Sequence, residues 1–221
     1  MPAEPDAASA GAVWASVVQA LGGARGAARA AGADLDARYA EAHRGYHGAA
    51  HVLAVVRDSS ALAGELGVAP GDVAALTLAA CAHDVVYDGR PGEDERASAR
   101  WAQDQLAAAG VPGPVGARVA QLVLATLIHE AAGDDPAAAA LLDADLAILA
   151  AAPADYDAYV WAVRGEYAHV DDTAWRIGRA AVLRSFADRE RIYVSTPAHD
   201  RWEDAARANL ARELATLEES P

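Results

Sequence analysis

Apolar positions recur along the chain at intervals of three and four, and strict alternation is almost absent, so the pattern predicts helices from end to end. Val13, Trp14, Val17, Val18 and Leu21 mark a first amphipathic helix that stops at Gly22-Gly23. The Ala/Gly/Arg-rich stretch up to Asp34 gives no clear assignment. A helix containing His47 and His51 continues through Leu53, Val56 and Leu62 to about Gly67. Pro70-Gly71-Asp72 opens the next, whose Val73, Leu76, Thr77 and Ala80 predict a single buried stripe leading to His83-Asp84. The breaker run Gly89-Arg90-Pro91-Gly92 ends that segment. Glu93-Asp94-Glu95 then begin a charged helix through Trp101 and Leu106 to Gly110, with acids where they complement the helix dipole. Val119, Leu122, Val123 and Leu127 follow the Pro112-Gly113-Pro114 turn, and the acidic break Gly133-Asp134-Asp135-Pro136 starts the helix holding Leu141 to Leu149. Roughly three more helices complete the chain, with Trp161, Trp175 and Trp202, and also Tyr156 and Tyr159, expected in the core.

Composition narrows this picture. Abundant alanine, including Ala137-Ala138-Ala139-Ala140, with a single Phe, favours closely packed helices and an all-α fold. The 221 residues suffice for one sizeable core and show no compositional break, so the expectation is a flexible tail over residues 1–10 and one helical domain over 11–221. Eighteen Lys+Arg against 32 Asp+Glu give a formal net charge of -14, which argues against a nonspecific nucleic-acid or anionic-membrane surface. The single cysteine, Cys81, excludes an internal disulfide framework and Cys-rich zinc modules. Acids near the amino terminus and the lack of a long apolar run predict a soluble, cytoplasmic protein without a membrane span. Gly-rich phosphate loops, a Gly-x-Ser-x-Gly elbow and a His-Glu-x-x-His signature are all missing.

Ionisable residues on apolar faces carry the chemistry. An imidazole and a carboxylate enter such a face only with compensation, which a metal cation supplies. His83-Asp84 extend an apolar stripe, and His47 and His51, four apart, share a helix face. Thr126 and His129 lie three apart, while Asp145 shares a face with Leu141 and Ile148. Asp143 is offset by about 200 degrees and is expected to be solvated or to support a ligand.

The set Tyr39-x-Glu41-x-His43-Arg44-x-Tyr46-His47-x-x-x-His51, His83-Asp84-Val85-Val86-Tyr87, Asp143-Ala144-Asp145-Leu146, Arg164-x-Glu166-Tyr167 and Gly178-Arg179 resembles the HD superfamily, in particular the bacterial predicted metal-dependent HD phosphohydrolases. The likeness runs from about Arg38 to Glu213. It implies an HD-type helical bundle with one divalent metal ion on His51, His83, Asp84 and Asp145. Two imidazoles and two carboxylates leave positions for water, which suits Mn, Fe, Co, Ni or Mg better than a closed Zn site, although Zn also fits these ligand types. The implied activity is hydrolysis of a small phosphorylated molecule such as a nucleotide, with Asp84 and the metal activating water.

Tyr46-His47-x-x-x-His51 is similar to the cyclic-nucleotide phosphodiesterases, which makes His47 a candidate general acid. Gly48 stands where those relatives carry asparagine, and a simple hydrogen-bonded His47 is the competing assignment. His129 is open between a phosphate contact or outer partner, a second-metal ligand and a satisfied core histidine. Arg44, Arg164 and Arg179 have the geometry to grip phosphate oxygens, or Arg164 pairs with an acid such as Glu166. Tyr39, Glu41 and Tyr167 are candidates to line the pocket or orient ligands. Two other readings use the same residues: a noncatalytic nucleotide-binding HD module, and an HD-type diiron oxygenase. The oxygenase is disfavoured because His129 is the one histidine between His83 and Asp145.

Overall fold

The computed structural model describes residues 9–129 and 134–219. Over these residues the chain forms ten α-helices and no strand, as the periodicity predicts. They are α1 (Ala10–Ala20), α2 (Arg25–Tyr39), α3 (Ala49–Glu65), α4 (Pro70–Ala82), α5 (Glu93–Ala108), α6 (Gly113–Ala125), α7 (Pro136–Asp145), α8 (Pro153–Glu166), α9 (Asp172–Ala187) and α10 (Thr196–Glu219). A 3-10 turn, Leu146–Ala150, continues directly from α7.

The bundle is built around α4, which packs against α1, α3, α5, α6 and α7. Its second half is buried on nearly every side, through Ala75, Leu76, Leu78, Ala79, Ala80, Cys81 and Ala82. The expected single stripe is therefore corrected: Val73 is 37% exposed, and a helix apolar all round occupies the centre. Its small side chains allow neighbours to approach closely.

The undecided stretch after Gly23 forms α2, whose buried face is Ala28, Ala31, Gly32, Leu35 and Tyr39. That stripe has helical spacing but is mostly made of small residues, so its hydrophobic signal is weak. A Cβ at Gly11 would collide with the Gly32 carbonyl, which shows how tightly α1 and α2 cross. Asp36 fastens the crossing by accepting from the Ser9 hydroxyl (2.7 Å) and the Gly11 N–H (2.8 Å). Ser9 caps α1 and Ala10 is buried, so the folded chain begins before the expected boundary at residue 11; the rest of the expected tail, residues 1–8, lies outside the described residues.

Asp143, expected to be solvated or beside a ligand, is fully buried and structural. Its carboxylate accepts the N–H groups of Val194 (2.6 Å) and Ser195 (2.8 Å), which ties the approach to α10 against α7. Asn209 on α10 donates to the Leu149 and Ala151 carbonyls, both at 2.9 Å, so the 3-10 turn after Asp145 is clamped from the same side. Trp161 departs from the core expectation at 81% exposure, whereas Tyr156 is fully buried and Trp202 packs on the core. Among the described residues no single helix is long and apolar enough to cross a membrane.

Candidate metal centre

Helix ends supply the candidate ligands. His51 stands in the first turn of α3, His83 caps the C-terminus of α4 with Asp84 following, and Asp145 is the last residue of α7. His83 Nδ1 lies 2.9 Å from the Ala80 carbonyl and donates to it, which leaves the Nε2 lone pair for the centre.

There, His51 Nε2 is 3.2 Å from both His83 Nε2 and Asp145 Oδ1, and His83 Nε2 is 3.4 Å from Asp145 Oδ1. Asp84 Oδ2 sits 3.2 Å from His83 Nε2 and 3.5 Å from His51 Nε2. Donors on a metal with bonds of about 2.1 Å are about 3.0 Å apart at right angles and about 3.4 Å apart at the tetrahedral angle. The spacings among His51, His83 and Asp145 match the edges of such a polyhedron, and these three form the cluster whose donor atoms all lie within 4.8 Å of one another; Asp84 stands beside it, at edge distance from the two imidazoles.

The electrostatics agree. Burial disfavours a charge on each of the four groups, yet their mutual attraction outweighs it. His51 and His83 are held above the usual histidine range by Asp84 and Asp145, while both carboxyls are held well below theirs, chiefly by His83. Two carboxylates thus draw positive charge into a buried pocket of imidazole nitrogens, and a divalent cation fits this donor set.

No family model, curated protein or solved structure matches the chain.

His129 lies in the turn after α6 with a left-handed backbone (φ 48°). Its Nε2 is 3.0 Å from Asp145 Oδ2, the oxygen not shared with His51 and His83, which makes it an outer partner of that carboxylate. Thr126 is buried and donates to the Val123 carbonyl (2.8 Å).

His47 is not on the helix that carries His51, because Gly48 caps α3 and His47 precedes it. The loop before it runs close to α8: a Cβ at Gly45 would collide with the Ala162 carbonyl. This contact brings Glu166 beneath the loop. Glu166 accepts the N–H groups of Tyr46 (2.7 Å) and His47 (2.9 Å), His47 Nδ1–H (2.7 Å) and the Tyr87 hydroxyl (3.0 Å). The His47 ring also stacks on Tyr87 with centroids 4.3 Å apart. Glu166 is the principal site residue that spacing missed. It falls within the quoted Arg164-x-Glu166-Tyr167 run, but nothing local signals that it reaches residues 46, 47 and 87.

The centre opens into a cleft of about 510 Å³ lined by His47, His51, Asp84, His129 and Asp145, with the His83 side chain fully buried behind them. The expected phosphate grips are not available there. Arg44 is 1% exposed and donates to Glu41 and to the carbonyls of His47, Asp84 and Val85. Arg164 holds the Tyr167 and Val170 carbonyls and pairs with Asp172 rather than Glu166. Arg179 borders the cleft, but Glu213 binds both its Nε (2.8 Å) and Nη2 (3.1 Å). Tyr39 is buried and donates to the Cys81 carbonyl (3.0 Å) outside the cleft, and Glu41 pairs with Arg44. Tyr167 does line the cleft, beside Trp175. These assignments differ because each arginine finds backbone carbonyls or an acid distant in sequence, which motif spacing does not reveal.

Proposed function

We propose that this chain is an HD-type metal-dependent phosphohydrolase acting on a small phosphorylated molecule. The observation that carries the reading is the meeting of two imidazoles and two carboxylates at coordination-edge distances beside one cleft. His51, His83, Asp84 and Asp145 would hold one divalent ion, which when bound acidifies water and draws charge from phosphoryl oxygens.

Asp84, the most open of the four at 20% side-chain exposure, faces the cleft and is positioned to orient the attacking water. Glu166 fixes the His47 tautomer by accepting from Nδ1, which leaves Nε2 as the nitrogen for proton transfer. In this role His47 protonates the departing oxygen, and Glu166 holds its ring in place. His129 steadies Asp145 through its outer oxygen.

The test pairs metal analysis with phosphate release from nucleotides and simple phosphoesters, with manganese, magnesium, cobalt or nickel added. Metal-dependent release abolished by chelator is the expected result. Stoichiometric metal without release from any ester would overturn the hydrolase reading in favour of a binding module, and two irons per chain would favour the oxygenase.

A further inference from the structure

Every permanently charged cationic side chain in this protein is an arginine, since the sequence has no lysine, and all 18 lie among the described residues. Only Arg90 and Arg179 line the cleft. Glu213 and the Tyr159 hydroxyl engage Arg179, and Asp88 and Glu93 pair with Arg90. Four carboxylates, on Asp84, Asp94, Glu95 and Asp145, line the same cleft. The charge of a divalent ion is offset by Asp84 and Asp145 alone. A polyphosphate chain extending from the centre would therefore meet no unpaired cation.

Much of the remaining lining is apolar. Ile148 and Leu149 from the 3-10 turn, Val163 from α8, and Trp175, Val182 and Phe186 from α9 supply it. The volume is in the range that holds small organic ligands, whose affinity comes mainly from such walls.

We propose that the cleft selects a monophosphoester whose alcohol part is uncharged and apolar or aromatic, and discriminates against nucleoside di- and triphosphates. This rests on the phosphohydrolase reading of the centre. Hydrolysis breaks the P–O bond to the alcohol and forms one to the oxygen of water; the leaving alkoxide takes a proton, for which His47 is placed. The apolar wall buries the alcohol's carbon atoms in both ground and transition states.

The experiment uses methyl, butyl and octyl phosphate, whose alcohols are similar as leaving groups, with ATP as the charged comparison. Binding to the manganese-loaded full chain is measured by calorimetry, and phosphate release is followed separately, with octyl phosphate below its micelle concentration. Affinity and kcat/KM should rise roughly threefold to fourfold per buried methylene until the cleft is filled, and ATP should bind more weakly than octyl phosphate. Trp175→Ala should reduce kcat/KM for octyl phosphate more than for methyl phosphate. Val182→Arg, at a position 48% exposed on the cleft wall, should shift the ratio toward ATP.

A flat chain-length response, or preference for ATP in binding, would overturn the inference even if phosphate is released. Affinity that climbs with chain length without release from any ester would overturn the hydrolase reading and leave the selectivity of the cleft standing.

Discussion

Glu166→Gln probes the buried acid on which the His47 side of the cleft depends. The wild-type side chain is 1% exposed and accepts four hydrogen bonds, two from backbone N–H groups, one from His47 Nδ1 and one from the Tyr87 hydroxyl. Burial alone would raise its pKa. The hydrogen bond and charge of His47, with the two backbone donors, instead bring it from 4.5 to about 2. At about 1.4 kcal/mol per pH unit, that drop corresponds to about 3 kcal/mol of folding free energy. The sign follows from proton counting: between about pH 4.5 and 2 the unfolded chain binds more protons than the folded one, so stability rises with pH there. The contribution is complete above the unfolded pKa and is lost as pH falls through the folded one. Glutamine offers one acceptor oxygen to four donors and turns an amide N–H pair toward some of them. Urea unfolding followed by circular dichroism should therefore place Glu166→Gln about 2–4 kcal/mol below wild type at pH 7. The gap should shrink to less than half by about pH 3. Equal midpoints at pH 7, or a gap as large at pH 3 as at pH 7, would refute the assignment of Glu166 as an ionised anchor.

Other residues give complementary tests. His83→Ala or Asp145→Ala should weaken manganese binding by more than roughly a hundredfold, beyond the loss typical of outer partners, with helicity retained; wild-type affinity in calorimetry would show that these are not ligands. Asp143→Ala strands the buried N–H groups of Val194 and Ser195 and should cost about 2–5 kcal/mol in thermal or urea unfolding, so an unchanged midpoint would count against its structural role. Arg44→Ala should lower stability by about 2–4 kcal/mol while leaving inhibition by inorganic phosphate nearly unchanged. The reverse pattern, intact stability with lost phosphate inhibition, would make Arg44 a phosphate ligand after all.

The helices were legible where their buried faces carry large side chains. Val119, Leu122 and Val123 on α6 have a clear period, whereas α2 hides its face in Ala28, Ala31 and Gly32. His83-Asp84 and Asp145 were legible for a related reason, since polar residues among apolar neighbours stand out against the pattern, while the joining of His51 with them in one set rests on the family resemblance. Their partners did not stand out. His47 and His51 are four apart, which reads as one helix, but Gly48 starts the helix between them, so a cap decided what the spacing left open. Trp161 sits at helical spacing with apolar partners, which predicts a core position, yet α8 turns it to solvent. Position relative to neighbouring helices fixes that outcome, and local sequence carries none of it.

The arginines connect the rigidity of the centre with the chemistry of its cleft. Helix C-termini leave carbonyls without intrahelical donors, and His83, Asp84, His129 and Asp145 stand in or beside such turns, whereas His51 stands at the start of α3. After α4, Arg44 donates to the carbonyls of Asp84 and Val85. After α6, Arg189 donates to those of Ile128 and His129 (3.1 and 2.9 Å). A guanidinium suits this work because its donors reach two carbonyls at once and stay charged at any ordinary pH. The same engagement removes these cations from substrate recognition. Under the proposed phosphohydrolase reading, a phosphoryl group would be recognised mainly through the ion and the histidines. The remainder of the proposed substrate would then meet the apolar lining from α8, α9 and the 3-10 turn. Freeing an arginine to bind phosphate would loosen the turn that presents Asp84 or His129, so added affinity for anions at these positions should come at the expense of order in the His51, His83 and Asp145 cluster.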